Sequence, residues 1–591
     1  DMAAAQLLKQ GQRLLQILPP DAAATLFDAF CQARPGEPET WFLASSAAGR
    51  RGDMGAAAEY ARQALVLDSD HSSAAMNLAK ALAALGRHAE AVPWFRSLLR
   101  RYPDVAEIHA GLGAALIDTQ DYAEAEHHLA RALALAPEVP SVHREIGRLR
   151  FAQGRLVETE HHYRRVIQLQ PGQVSGLANL AFVLYAAGQP AGAAEALQQA
   201  LVMDPSHTAV ASALLSTLHC LPGYSPGELL NETRRRWPVA VSACDGRAAG
   251  GVHANPPQPR RRLRVGYVSG DFHSHPVAFF LEPVLAHRDR AGFEVFCYYN
   301  DTVDDEQTQR LRSYSDHWCN VRTLSNAALA DRIRADGIDI LVDLAGHTAN
   351  NCLPAFSLRP APVQMTWLGY FGTTAVPGVD YIIGDRHVIP PGGEGHYTEQ
   401  VLRLPHCYCC FAKPDNDLQV LPPPDETAGE LVLGGFHKPA KLTAPVIALW
   451  SRLLHALPQA RLYLKYRWLD DAGVSGRLLT AFAGHGIGPE RLRIEGPAAR
   501  QELLAAYGGV DVALDTFPYN GGTTTVEALW MGVPVVTLRG DRFVHRVGAS
   551  ILSNAGLDEL ISDSEDDYVA KVVALAADGP RRSALRQTQR A

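Results

Sequence analysis

A period of 34 residues runs through the first third of the chain and constrains its fold more than any other feature of the sequence. Proline follows an apolar helical turn once per period, and glycine recurs with the same spacing at a second position. Because glycine suits the turn after one helix and proline cannot continue the next, each period predicts two short amphipathic helices. The markers are Pro35, Pro103, Pro137, Pro171 and Pro205, with Ser69 in the missing slot, and Gly52, Gly86, Gly154 and Gly188, with Gln120 in the missing slot.

This pattern resembles the tetratricopeptide repeat, in which helix pairs stack into a superhelix because one pair cannot bury its apolar face alone. The register is clear over residues 36–207, and we assign residues 1–220 to this α-solenoid. A helical segment before the register predicts a degenerate unit or a cap. Such arrays bind proteins or peptides on a concave face, so we expect a protein partner here.

The composition changes after the repeats. Residues 221–258 are rich in proline and glycine and predict a connector. Short apolar runs then alternate with helical segments, which is typical of parallel sheets covered by helices. Two such Rossmann-like domains follow, and two in succession predict a cleft where a ligand meets the carboxyl ends of both sheets. We assign the two domains to residues 259–421 and 422–591, with a linker at 422–430. The predicted strands are 263–269, 293–299, 338–344, 363–368, 381–383, 431–436, 461–464, 492–495, 510–514 and 535–538.

Charge and cysteine content exclude several classes of protein. The net charge is −8, from 55 basic and 63 acidic residues, which disfavours nucleic acid as a partner. The sequence contains no long apolar run and no signal-peptide pattern, so we expect no membrane partner. Nine cysteines without a repeating spacing favour a reducing, cytoplasmic setting. The cluster from His406 to Cys410 lacks the separated pairs of a zinc site and predicts buried thiols.

The segment LDTFPYNGGTTTVEALWMG, residues 514–532, predicts a phosphate site. A strand is followed by a loop with Gly521 and Gly522, and Thr523 and Thr524 open a helix. Glycines let the backbone approach a ligand, and free amides at a helix N-terminus bind phosphate together with threonine hydroxyls. An ordinary N-capped helix after a tight loop is the alternative interpretation. Glu527, on the same helix face, could accept a hydrogen bond from a ribose hydroxyl.

Other polar residues follow predicted strands at the same sheet edges. Lys438 and Lys441, in GGFHKPAK, follow the first strand of the second domain and could neutralise a diphosphate. His275, in GYVSGDFHSHP, follows the first strand of the first domain. An imidazole there could transfer a proton or bind a sugar hydroxyl, and a loop-capping role is the alternative. His347 follows the third strand, and we predict that it also contacts the substrate.

The repeats together with GYVSGDFHSHP, DLAGHT, RPAPVQMTWLGYFGTT, DTFPYNGGTTTVEALWMGVPVVT and RVGAS resemble the O-linked N-acetylglucosamine transferase family, family 41 of the glycosyltransferases, and most closely its bacterial homologues. The resemblance covers nearly the whole chain. It implies a GT-B fold with UDP-N-acetylglucosamine (UDP-GlcNAc) bound chiefly by the second Rossmann-like domain. It also implies inverting transfer of the sugar to Ser or Thr of proteins, with no metal or other cofactor.

The resemblance implies roles for several residues in binding the nucleotide. Lys441 matches the lysine that stabilises the UDP leaving group, and Lys438 stands where animal members have a glutamine near the uracil. Thr523 and Thr524 match the diphosphate-binding threonines. Glu527 replaces the aspartate that binds the ribose.

It also implies roles on the sugar side of the site. His275 matches the histidine of the acceptor and sugar pocket that has been proposed as general base, a role that substrate assistance or a water relay could fill instead. Leu368 and Gly369 match the segment that lines the pocket for the acetamido group of the sugar.

Three substitutions depart from the animal members. Leu503 and Ala506 replace a histidine and an arginine, and Gly522 replaces a histidine. They keep two alternatives open: a repeat scaffold that binds nucleotide without turnover, and a transferase for another UDP-sugar or acceptor. The Asp-x-Asp patterns at 68–70 and 415–417 fall in a repeat turn and a loop, so we assign them no metal.

Overall fold

The computed structural model describes residues 2–242, 253–258, 260–414, 418–420 and 431–590. The predicted linker at 422–430, the pattern at 415–417 and residues 243–252 of the predicted connector lie outside these ranges. The chain divides into two compact units, Asp1–Gly176 and Leu177–Ala591.

The first unit consists of helices, and successive helices pack against each other from α2 through to α10. The helix bounds follow the predicted register, with one helix ending before each turn position and the next beginning after it. The helices are α1 (Met2–Ile17), α2 (Pro20–Ala33), α3 (Pro38–Arg51), α4 (Met54–Leu67), α5 (Ser72–Ala84), α6 (His88–Arg101), α7 (Ala106–Asp118), α8 (Tyr122–Leu135), α9 (Pro140–Ala152) and α10 (Leu156–Leu169).

The predicted turn positions adopt the left-handed backbone conformation that glycine favours. The φ angles are 86° at Gly52, 75° at Gly86 and 77° at Gly154. Gln120, which stands in the slot without glycine, has a φ of 63°. The repeat register therefore holds even where the sequence marker is missing.

Glycines inside the repeat helices let neighbouring helices approach closely. A Cβ atom on Gly111 would lie 2.6 Å from the ring of Phe95, and one on Gly113 would lie 2.6 Å from the side chain of Leu129. Both large side chains are almost fully buried. The interior of the repeats is therefore built from small residues facing large ones, as close packing requires.

Two pairs of histidines, one period apart, lie inside the repeats. The Nδ1 atoms of His109 and His128 are 3.0 Å apart, and those of His143 and His162 are also 3.0 Å apart. In the second pair, Nε2 of His143 lies 2.9 Å from Pro137 O and donates to it. Nδ1 of neutral His143 must therefore accept the proton of His162 Nδ1.

The second unit begins with further helices that continue the repeat register. They are α11 (Val174–Ala186), α12 (Pro190–Met203), α13 (Thr208–Leu218) and α14 (Pro226–Ser242).

Helix α14 lies in the region that the sequence predicted to be a connector. Pro226 begins this helix, a position that tolerates proline. Leu230 and Trp237 are buried, and α14 packs against α13. Tertiary packing of these apolar side chains explains why a proline-rich segment forms a helix here.

The first Rossmann-like domain contains a parallel sheet in the order β3-β2-β1-β4-β5-β6-β7. Its strands are β1 (Leu263–Ser269), β2 (Phe293–Tyr299), β3 (His317–Asn320), β4 (Ile340–Asp343), β5 (Val363–Thr366), β6 (Tyr381–Asp385) and β7 (Gln400–Leu404). Its helices are α15 (Pro276–His287), α16 (Glu306–Tyr314), α17 (Asn326–Ala335) and α18 (Leu353–Ser357).

The second Rossmann-like domain repeats this topology with a parallel sheet in the order β10-β9-β8-β11-β12-β13. Its strands are β8 (Leu431–Gly435), β9 (Ala460–Lys465), β10 (Leu492–Glu495), β11 (Val512–Leu514), β12 (Val535–Leu538) and β13 (Ile561–Ser562). Its helices are α19 (Ala444–Ala456), α20 (Ala472–Ala483), α21 (Arg500–Ala506), α22 (Thr523–Trp530), α23 (Val547–Asn554), α24 (Glu565–Ala577) and α25 (Gly579–Thr588).

All ten predicted strands are present, with bounds that differ by a few residues. The sequence did not predict β3, β7 and β13, which are edge strands of their sheets. β3 and β7 are partly exposed and β13 has only two residues, so none of the three has a clear apolar pattern. No helix within the described ranges is long and apolar enough to cross a membrane.

The strand order places a binding crevice in each sheet. The order along the chain reverses between β1 and β4 in the first sheet and between β8 and β11 in the second. Ligands of open parallel sheets bind beyond the carboxyl ends of the strands at this switch point. The segments that hold most of the predicted site residues leave β1, β4, β8 and β11.

We expect the second histidine pair to make the repeats sensitive to acid. Burial and neighbouring His143 lower the pKa of His162 from 6.5 to about 4. As the pH falls below the ordinary histidine pKa, the unfolded chain binds a proton that the folded chain does not, so folding stability is lost. Lowering the pH from about 7.5 to about 5 should reduce the free energy of unfolding of both proteins. The reduction should be about 1 kcal/mol smaller in His162→Gln than in the unmodified protein, a figure that takes the partial exposure of His162 into account.

Urea unfolding followed by circular dichroism at both pH values measures this difference. His161→Gln, at the exposed neighbouring position, is the control and should retain most of the acid sensitivity, because burial and His143 lower the pKa of His162 more than His161 does. An equal loss in the His162→Gln variant and the unmodified protein would contradict the expectation.

Candidate functional site

Lys441 lies in a short turn after β8 and is 9% exposed. Its Nζ atom donates to Asn520 O at 2.6 Å and lies 4.2 Å from the centre of the Tyr519 ring. Asn520 and Tyr519 belong to the loop after β11. The two loops at the switch point of the second sheet are therefore joined through this lysine.

Lys438 approaches the same tyrosine from the other side of the turn. Its Nζ atom donates to the hydroxyl oxygen of Tyr185 at 2.7 Å and lies 4.7 Å from the centre of the Tyr519 ring. Among the residues that the structure describes, neither lysine forms an ion pair with a carboxylate. The positive charge of the site is therefore not neutralised by an ion pair with a carboxylate of the described residues.

Burial of these two ammonium groups shifts their titration. Burial, together with the charge of Lys438, lowers the pKa of Lys441 to about 7, and Asp515 acts in the opposite direction. Burial also lowers the pKa of Lys438. Because an anion bound between them would favour the charged forms, the pair is suited to a ligand with several negative charges.

Helix α22 begins at Thr523 and contributes unpaired donors. The hydroxyls of Thr523, Thr524 and Thr525 are buried, and none has a hydrogen-bond partner within the described structure. In the loop before them, Gly521 N donates to Asp515 Oδ1 at 2.6 Å. A Cβ atom on Gly521 would lie 2.6 Å from two of the three threonine hydroxyls, so only glycine leaves them open.

Gly522 directly precedes helix α22, and Glu527 lies within its first turns. A Cβ atom on Gly522 would meet only Val547, at 3.9 Å. Glu527 is 4% exposed and forms an ion pair with Arg500, with 3.0 Å between Oε1 and Nη2. Burial raises the pKa of Glu527 to about 7. Its role toward a ribose stays a prediction.

His275 caps helix α15, because its Nδ1 accepts from Val277 N at 3.3 Å. In the neutral ring the proton therefore lies on Nε2, which is a donor. Loss of solvent and the neighbouring His273 and Lys438 lower the pKa of His275 to about 3. The structure thus presents a neutral imidazole that can donate to a substrate oxygen, and acting as a base at Nε2 would require the other tautomer.

His347 lines the cavity that contains Lys438, but the protein occupies both nitrogens of its ring, and its contact with a substrate stays a prediction. The residue is fully buried, Nδ1 lies 3.1 Å from Ser212 Oγ, and Nε2 lies 2.8 Å from Thr374 O. The ring also packs edge-on against Trp237 at 4.7 Å. Both nitrogens are bonded to protein, so His347 joins α13 and α14 to the first sheet.

The segment after β5 makes a tight turn against β4. Leu368 is buried and has a φ of 66°, which is unusual for a residue with a side chain. A Cβ atom on Gly369 would collide with Leu344 O. Two residues later, the ring of Phe371 packs against that of Tyr519 at 5.5 Å. Segments from both sheets therefore meet at Tyr519.

A cavity of about 610 Å³ opens beside Lys438. Repeat helices form one wall, through residues that include Phe182 and Tyr185. Asn300, Asn350 and other polar residues after β2 and β4 form the opposite wall. Its lining is thus a mixture of apolar and hydrogen-bonding groups.

The cysteine-rich segment lies apart from this cavity. Cys407 is half-buried and Cys409 is buried, with their sulfur atoms 3.3 Å apart, whereas Cys410 is exposed. Across the described part of the chain, no group of three or more His, Cys, Asp and Glu side chains could hold a metal ion.

Sequence reasoning did not single out several residues of the site. Tyr519 and Asn520 lie inside the predicted phosphate segment, and this position was the signal that could have identified them as contacts of Lys441. Arg500 and Tyr185 carry no local signal, because each reaches the site from an element distant in the chain.

Comparison with known proteins places the chain in a family. The model for glycosyl transferase family 41 matches residues 252–413 and 424–590, more than half of the chain. The chain belongs to glycosyltransferase family 41. Tetratricopeptide models match residues 8–72, 42–106, 82–149 and 150–217.

Several curated proteins are similar to somewhat more than half of this chain. A protein from Solanum lycopersicum, named as a probable UDP-N-acetylglucosamine–peptide N-acetylglucosaminyltransferase SPINDLY, is 37% identical over 337 residues, 56% of this chain. The corresponding SEC protein of Arabidopsis thaliana is 32% identical over 343 residues, also 56% of this chain. The matches cover 36% and 35% of those proteins, so the chain spans little more than a third of their length.

A solved structure is similar over a larger part of the chain. It is a mutant of the O-GlcNAc transferase of Thermobaculum terrenum, 39% identical, with a TM-score of 0.76. The likeness covers 82% of this chain and 92% of that one. It confirms the predicted fold, a helical repeat array followed by the two Rossmann-like domains of a GT-B transferase.

The collision at Gly369 predicts that this position does not tolerate a side chain. Gly369→Ala should lower the free energy of unfolding by about 3 kcal/mol, because Leu344 is held in the sheet and cannot move aside. Urea unfolding measures the change. Gly476→Ala is the control, since a Cβ atom there meets nothing within 4 Å inside helix α20. Equal stabilities of the two variants would refute the expected collision.

Proposed function

We propose that the chain transfers N-acetylglucosamine from UDP-GlcNAc to Ser or Thr hydroxyls of proteins, with inversion at the anomeric carbon. One observation carries the proposal: two buried lysines without a carboxylate partner lie at the same switch point as three unpaired threonine hydroxyls on a helix N-terminus. Such a set of donors matches a nucleoside diphosphate. The names of the family 41 relatives support UDP-GlcNAc as the donor and a peptide as the acceptor.

The site residues act on the leaving group. As the acceptor oxygen bonds to the anomeric carbon, the bond from that carbon to the phosphate oxygen breaks and both electrons remain on UDP. Lys441 and the amides of helix α22 stabilise the negative charge that develops there. Because Lys441 is buried, its attraction for this charge is stronger than it would be in water. We propose that these groups do the electrostatic work for which other transferases use a metal.

The acceptor enters through the cavity beside Lys438 in this proposal. Polar residues on one wall can bind the backbone of an extended peptide, and the repeat helices on the other wall can hold its side chains. His275 donates from Nε2 to an oxygen of the donor or acceptor. The proton of the acceptor hydroxyl then leaves to the substrate itself or to water, unless His275 adopts the other tautomer. We place the reaction in the cytoplasm, as the scattered cysteines favour.

Two other functions have specific support. Leu503, Ala506 and Gly522 depart from the pattern of the animal members, and a Cβ atom on Gly522 would meet only Val547. These departures support two alternatives: a scaffold that binds nucleotide without turnover, and a transferase that uses another UDP-sugar or acceptor. Incubation of candidate acceptor proteins with UDP-GlcNAc and with other UDP-sugars, followed by mass spectrometry, decides among the three. Added N-acetylhexosamine on Ser or Thr excludes the scaffold.

Lys441→Ala should reduce transfer by about 10²- to 10³-fold, because it removes a charge that acts mainly on the leaving group. Mass spectrometry of the acceptor measures the rate, and thermal unfolding verifies that the variant is folded. Lys9→Ala, which removes an exposed lysine of α1, is the control and should transfer normally. Near-normal turnover in folded Lys441→Ala would refute the assigned role.

Thr524→Val should weaken UDP binding by about tenfold while leaving the empty protein as stable or more stable. The hydroxyl has no partner to lose in the empty protein, and valine has nearly the same shape. Calorimetry with UDP and thermal unfolding measure the two effects. Thr366→Val is the control for stability, since that hydroxyl donates to Asp343 at 2.8 Å and its loss should destabilise the protein. Unchanged UDP affinity in Thr524→Val would count against the diphosphate site.

A further inference from the structure

A tyrosine of the repeat array contacts the lysine turn directly. Tyr185 is near the end of α11, the first helix of the fifth repeat, and its hydroxyl accepts a hydrogen bond from Lys438 Nζ at 2.7 Å. The same ammonium lies 5.0 Å from the centre of the Tyr185 ring. The Tyr185 hydroxyl also lies 3.4 Å from Sγ of Cys220, which follows α13 in the chain.

The backbone after α11 packs against the same turn. A Cβ atom on Gly188 would lie 3.0 Å from Pro439 O, between the two lysines. One residue earlier, Ala187 O accepts from Arg477 Nη2 of α20 at 2.8 Å. These contacts leave little freedom for the repeat turn to shift relative to Lys438.

The hydroxyl of Tyr185 is the only oxygen that accepts from Lys438 Nζ in the described ranges. An ammonium that is partly withdrawn from water needs oxygen acceptors or aromatic faces, because each unpaired N–H is costly. Tyr185 and Tyr519 provide one hydrogen bond and two ring faces. They fix the position of the charge without neutralising it, as a carboxylate would.

We propose that Tyr185 is a positioning residue that holds the ammonium of Lys438 toward the diphosphate of the donor. The fifth repeat is then part of the donor site, in addition to any role in presenting acceptors. The inference rests on the proposed function, since it takes the ligand to be a nucleoside diphosphate.

Tyr185→Phe tests the inference, because it removes the hydroxyl and keeps the ring. UDP should bind about tenfold more weakly, as expected for loss of a hydrogen bond to a charged group, whereas uridine should bind unchanged. Without its oxygen acceptor Lys438 should also lose its proton more easily, so UDP binding should weaken at a lower pH than in the unmodified protein. Calorimetry over a pH series and ligand-observed NMR measure these affinities.

Tyr60→Phe is the matched control. Its hydroxyl donates to Asp28 Oδ1 at 2.8 Å within the first compact unit, so the same atom is removed from another repeat. UDP affinity should be unchanged in this variant. Thermal unfolding of both variants separates a loss of folding from a loss of binding.

Lys438→Ala separates failure of the inference from failure of the proposed function. Weak UDP binding in both Lys438→Ala and Tyr185→Phe supports the inference. Weak binding in Lys438→Ala alone overturns it and leaves the proposed function standing. Normal binding in Lys438→Ala overturns both the inference and the assignment of this lysine to the donor site. An equal loss of UDP and uridine affinity in Tyr185→Phe would indicate a contact of Lys438 with the uridine or a structural role of Tyr185, and either would overturn the inference.

Discussion

Two ammonium groups face one tyrosine ring, and the rest of the site is arranged around their uncompensated charge. Lys438 and Lys441 lie 4.7 and 4.2 Å from the centre of the Tyr519 ring, and no carboxylate pairs with either in the described structure. Burial lowers the pKa of both groups, and the charge of Lys438 lowers the pKa of Lys441 further. The fold tolerates this arrangement because backbone and phenol oxygens accept the hydrogen bonds of both groups. A diphosphate would supply the missing negative charge.

This charge requires support from three parts of the chain. The loop after β8 carries both lysines, the loop after β11 carries Tyr519 and Asn520, and helix α11 carries Tyr185. Parallel sheets bring the first two loops together at the switch point. Helix α11 lies beside them because α11–α14 belong to the same compact unit as the sheets. In this unit, His347 and Trp237 hold the last repeat helices in place. The net charge of −8 is compatible with anion binding because the positive charge is local.

Local motifs made part of the site predictable. Thr523 and Thr524 follow a strand and a glycine pair, and Lys441 follows another strand, so topology alone brings them to one edge. His347 satisfied the same criterion, yet its nitrogens are bonded to Ser212 and Thr374. Position at a strand end does not determine which way a side chain points. Glu527 illustrates the same limit, since its partner Arg500 comes from a different helix.

By itself the sequence determined the repeat register, the alternation of strands and helices, and the glycine–threonine loop. Each depends on residues close together in the chain, whose spacing reflects helix and strand geometry. Only the tertiary structure decided that α14 is a helix, that the repeats reach the lysine turn, and that Tyr185 meets Lys438. These contacts join residues more than 250 positions apart. Their formation depends on how whole elements pack, which no local pattern encodes.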